Sequence, residues 1–123
     1  MKNPFYIFVF LLISLNCLAQ EELGKSKQQI EELNKNDYAF QNNDFMLSFI
    51  DDDNNKREFY FENGKCNKIK LFYPETPIEF IKEIYKKNKW IYISYYKFEK
   101  DTFEMKIEER AKNYPIVVIT YKK

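Results

Sequence analysis

Several stretches of the chain alternate apolar and polar residues, and two others repeat apolar residues at helical spacing. Phe45, Leu47 and Phe49 fall on one side of residues 44–50, against Met46, Ser48 and Ile50. Residues 65–73 put Ile69, Leu71 and Tyr73 on a common face. Residues 102–109 set Phe103, Met105 and Ile107 against Glu104, Lys106 and Glu108. A period of two predicts strands with one face buried and the other wet. Ile30 and Leu33, and then Ile78, Ile81, Ile84 and Tyr85, carry instead the three-and-four spacing of an amphipathic helix.

Local signals bound these elements. Ser26 and Gln29 have the S-x-x-Q spacing of a capping box. Thr76, Pro77 and Glu79 read as an N-cap, a first helical residue and the partner of a second box, with Lys86, Lys87 and Lys89 gathered at the helix end. Asn63-Gly64 is the dipeptide that best tolerates the two positive φ angles of a type I′ turn, so residues 57–74 predict a hairpin that organises the fold. Residues 51–55 form a hairpin loop by composition, and 56–62 the strand after it. Residues 90–98 are β-prone throughout and read as one strand, with Glu99-Lys100-Asp101 as its turn. Residues 110–115 read as a link and 116–121 as the last strand, while 38–43 suit either a short strand or an extended link. The expected fold is α+β: a two-layer sandwich with an antiparallel sheet of about six strands, two helices on one face and the order αβββαβββ.

The first residues differ from the rest. Lys2 is followed by an apolar run from Phe5 to Leu15, shorter than the roughly 20 residues of a membrane span. Cys17 and Ala19 stand at −3 and −1 before Gln20, which predicts a Sec signal peptide over 1–19 and a single domain over 20–123. The alternatives are an uncleaved anchor, or lipidation at Cys17, where Asn16 departs from the small residue that precedes a lipobox cysteine. Cleavage leaves nineteen cations against nineteen acids and a net charge of zero. Neither nucleic acid nor membrane insertion after cleavage is expected of such a chain. It also leaves Cys66 as the lone cysteine, so no disulfide forms within the mature chain.

Candidate chemistry is sparse. The chain has no histidine, which excludes Ser-His-Asp and Cys-His catalysis. Cys66 has only Lys65 and Lys68 nearby in sequence and reads as a small strand residue. Asp51, Asp53 and Asn55 open like a calcium loop, but Lys56 replaces the required glycine and Glu62 lies at the far end of a strand. No metal, cofactor or catalytic residue is therefore expected. Trp90, Tyr92 and Tyr96 fall on alternate positions of one β-prone stretch. Facing outward, they form an aromatic platform for sugar rings or a partner protein. Facing inward, they pack on the sheet with their hydroxyls wet.

Gly24-Lys25-Ser26-Lys27-Gln28-Gln29-Ile30, followed by Phe59-Tyr60-Phe61-Glu62-Asn63-Gly64-Lys65, resembles the exported SmpA/OmlA (BamE-like) module and its relatives in the β-lactamase-inhibitor-protein group. The Ala19-Gln20 junction is similar to that of small secreted Bacteroidetes proteins of unknown function. The resemblance covers residues 24–73, with Asn34-Lys35-Asn36-Asp37 where those families place Gly-Pro. It implies a periplasmic or outer-membrane accessory role through contacts with an envelope protein. The expectation is an exported, non-catalytic interaction module, with a carbohydrate or small-ligand binder around Trp90 as the alternative.

Overall fold

The computed structural model describes residues 22–50 and 55–122. The expected signal peptide, Cys17, Asp51 and Asp53 lie outside them. Helix α1 (Lys27–Leu33) precedes β1 (Tyr38–Asn43), β2 (Met46–Ile50), β3 (Lys56–Glu62) and β4 (Lys65–Phe72). Helix α2 (Ile78–Lys87) precedes β5 (Ile91–Ser94), β6 (Lys97–Lys100), β7 (Phe103–Ala111) and β8 (Tyr114–Tyr121). These eight strands form one sheet in the order β1-β2-β3-β4-β8-β7-β6-β5, every neighbour antiparallel.

The expected six-stranded sheet in the order αβββαβββ is therefore corrected to αββββαββββ among the described residues. Each half is a helix followed by a four-strand meander, and the meanders meet through their last strands, β4 and β8. Two readings account for the difference. Residues 38–43 are a full strand, paired with β2 across a turn at Asp44-Phe45. Residues 90–98 are not one strand: the chain reverses at Tyr95-Tyr96, between β5 and β6. Neither tyrosine has a positive φ, and β-prone residues without Gly or Asn give no turn signal in sequence.

Register aligns one apolar row across the sheet. Leu47 lies opposite Phe59, then Ile69, Ile119, Met105 and Phe98 follow on successive strands. All six side chains are fully buried. Ile30 of α1 and Ile81, Ile84 and Tyr85 of α2 join the same cluster, so both helices cover this face. The Asn63-Gly64 turn joins β3 and β4 with φ of 54° and 78°, the two positive angles that a type I′ hairpin requires.

The two helix starts differ. In α1 the box closes: the Gln29 amide donates to Ser26 Oγ (3.2 Å) and the Ser26 amide to Gln29 Oε1 (2.8 Å). In α2 the expected Thr76–Glu79 box is absent and Pro77 is the N-cap. Thr76 is held elsewhere, its amide donating to the Asn113 carbonyl (2.8 Å) and its hydroxyl to the Pro74 carbonyl (3.1 Å).

Ahead of α1 the chain runs beside the start of β4. The Gly24 amide donates to the Cys66 carbonyl (2.7 Å) and the Cys66 amide to the Lys25 carbonyl (2.8 Å). Gly24 has φ of +87°, and a Cβ there would sit 2.8 Å from the Tyr121 hydroxyl. Gly24→Ala is expected to lower stability by about 1–2 kcal/mol in urea denaturation, from the left-handed backbone and the contact together.

Candidate functional site

The sheet face away from the helices holds the alternate residues of the same register. One row runs Met46, Tyr60, Lys68, Thr120 and Glu104 across β2, β3, β4, β8 and β7. The next runs Ser48, Glu58, Lys70, Val118 and Lys106. A third runs Phe72, Ile116 and Glu108 across β4, β8 and β7, beside Lys56, which lies opposite Ile50 and holds its Nζ 4.7 Å from the centre of the Phe72 ring. Phe72 and Ile116 are buried apart from the cluster that α1 and α2 join among the described residues, so this face has an apolar centre of its own.

Its charges are unevenly satisfied. Towards β6 and β7, Lys97 bridges Glu104 (3.4 Å) and Glu99 (3.7 Å), and Lys106 bridges Glu104 (3.5 Å). Burial pushes the Glu104 carboxyl up, but its bonds and charge contacts with Lys97 and Lys106 outweigh this and hold its pKa below the ordinary value. On β3, Glu58 receives Lys56 (3.4 Å) and accepts from the Tyr60 hydroxyl (2.6 Å). Lys68 and Lys70 are different. Their ammonium groups lie 4.6 and 5.7 Å from the centre of the Tyr60 ring. Among the described residues neither forms a salt bridge. Burial, the hydrogen bond to Glu58 and the negative charge of Glu58 and Glu108 all raise the Tyr60 phenol, so it stays protonated. The centre of the face thus offers two cations against a neutral aromatic ring, bordered by Thr120, Val118 and Ile116.

The expected aromatic platform is rearranged. Trp90 is only 3% exposed and does not face outward. It follows α2 in a Schellman cap: its amide donates to the Tyr85 carbonyl (3.0 Å) and the Lys89 amide to that of Lys86 (3.1 Å). Lys89 takes φ of 69° to make this turn, and the Trp90 ring meets Tyr85 edge-on at 5.5 Å. An apolar residue at this position of such a cap packs back onto the helix, which explains its burial. Tyr92 and Tyr96 remain about half exposed, at 48% and 44%. Tyr92 lies under Lys86, with Nζ 5.3 Å from its ring centre. Tyr96 is in the turn, its hydroxyl donating to Glu109 (3.0 Å). Tyr95, which the alternation did not single out, covers the buried Lys82 (Nζ to ring centre 3.1 Å) and donates to Glu79 (3.1 Å). These bonds raise the pKa of both turn tyrosines, led by the carboxylate each one meets. Trp90, Tyr92 and Tyr96 therefore do not form one surface.

Cys66 is buried, with its thiol 3.6 Å from the Lys68 carbonyl. Burial is the main cause that pushes its pKa from 9.0 up to about 12, so it is no nucleophile at neutral pH. On the helix side, Arg57 pairs with Asp37 and so ties the segment before β1 to β3. Among the described residues no group of His, Cys, Asp or Glu is arranged to hold a metal ion. The chain matches no family model, no curated protein and no solved structure.

Trp90 and Cys66 each offer a test of these placements. Trp90→Ala should cost roughly 3–5 kcal/mol in urea denaturation, and the fluorescence of the native indole should resist quenching by iodide. Between pH 9 and about 12 the folded state keeps a Cys66 proton that the unfolded chain sheds. This contribution is therefore fully present below pH 9 and falls as pH rises through that window. Replacing Cys66 with Ala should flatten the alkaline slope of stability, and native Cys66 should react with iodoacetamide at neutral pH only after denaturant is added.

Proposed function

We propose that this protein is an exported, non-catalytic interaction module of the cell envelope, whose sheet face opposite α1 and α2 binds an acidic segment of a partner protein. The observation that carries this reading is the pair Lys68 and Lys70. They stand on the central strand β4, free of salt bridges among the described residues, while lysines nearer the β6 side are already bridged to glutamates. A carboxylate reaching the pair gains a charge-assisted bond without displacing an existing one. The neighbouring Phe72, Ile116 and Val118 supply the apolar ground on which such contacts are sheltered from water. Export rests on the N-terminal apolar run and the Cys17-Leu18-Ala19 junction. The glycan-binding alternative loses its indole to the core.

The test is crosslinking capture of the partner by the full chain in its own cell envelope. A partner retained by the wild type should be lost about tenfold or more with Lys68→Glu and Lys70→Glu combined, and more so at low salt. Lys106→Glu, on the bridged side, should change capture little. Equal capture by the double variant would overturn the assignment of this face.

A further inference from the structure

The sheet has two edges, and they are unlike. At one edge β1 presents mainly Gln41, Asn42 and Asn43, with a bulge between Ala39 and Gln41. At the other edge every residue of β5 is exposed. Ile91 (63%), Tyr92 (48%) and Ile93 (48%), with Tyr95 and Tyr96 in the turn, place five of the exposed large hydrophobic side chains within six residues. Residues 90–96 contain no charge, proline or glycine. Natural edge strands usually carry such residues, or a cover, to prevent pairing with another chain. Among the described strands, β5 pairs only with β6.

We infer that β5 is a self-association edge, pairing antiparallel with β5 of a second copy about a two-fold axis to make one continuous sheet. Three features favour a second copy. Every junction within the sheet is antiparallel, and a two-fold axis normal to the sheet continues that arrangement. Centred on Tyr92, it sets Tyr92 opposite its own copy and Ile91 opposite Ile93, so facing side chains share a sheet face and no like charges meet. The same axis reverses α2, which runs from Glu79 and Glu83 to Lys86 and Lys87, so its acidic end is turned towards the partner's basic end. The area agrees with a modest dimer. Five side chains each presenting on the order of 100 Å² give about 1,000 Å² over both copies, at the lower limit of a specific interface. This surface is separate from the Lys68–Lys70 face, and the inference does not rest on that reading.

The test is sedimentation equilibrium of the exported full chain from about 1 µM to about 1 mM. The wild-type mass should rise from monomer to dimer and stop there. Ile91→Lys and Ile93→Lys, each on an exposed edge position, should raise the dimerisation midpoint about tenfold or more with unchanged Trp90 fluorescence. Tyr38→Lys at the opposite edge, and the combined Lys68→Glu and Lys70→Glu variant, should leave it unchanged. A wild-type chain that stays monomeric throughout would overturn the inference, including the case in which β5 accepts a strand of a different protein. So would growth beyond the dimer, or dimerisation unaffected by both isoleucine variants.

Discussion

The fold depends on the apolar row that crosses the sheet from Leu47 to Phe98. Its centre is the pair Ile69 and Ile119, where β4 meets β8 and the two halves of the chain become one sheet. Because side chains alternate, a slip of one residue at this junction would bring Lys68 and Lys70 under the helices and expose Ile69 and Leu71. Burying two ammonium groups without partners costs far more than any alternative pairing returns. The register is therefore set by hydrophobic burial on one face and by charge on the other.

That junction also decides where a partner face can exist. The helices cover the side of the row, and the opposite side of β4 and β8 forms the middle of a second, partly buried face. On its flank, the glutamates and lysines of β6 and β7 bridge one another. At the middle, two cations meet an aromatic ring and buried apolar side chains. A surface with an apolar centre and a charged margin has the anatomy of an interface.

The two halves repeat the same order of elements but fasten it differently. The box at Ser26 and Gln29 begins α1, whereas α2 starts after Thr76 is held by Asn113 and Pro74. The end of α2 is closed by Lys89 in a left-handed conformation, with Trp90 folded back on Tyr85. That cap turns the most conspicuous aromatic residue of the chain into core. It leaves Tyr92, Tyr95 and Tyr96 to clothe an edge strand and its turn.

Sequence by itself determined the local elements. The α1 box, the Asn63-Gly64 turn and the alternation in β2, β4 and β7 are legible because each depends on residues close together along the chain. The lysines of the candidate face could have been assigned to the wet side of β4 by alternation with Ile69 and Leu71, although nothing local marks Tyr60 as their neighbour. Tertiary structure decided the rest. Tyr95 and Tyr96 turn without a turn residue because Glu79, Lys82 and Glu109 hold them from α2 and β7. Thr76 gives up its expected cap to the β7–β8 turn, and Trp90 is buried by the helix that precedes it. The joining of β4 to β8, strands far apart in the chain, rests on burying apolar surface between the two halves, and so do the second face and the two edges that follow from it.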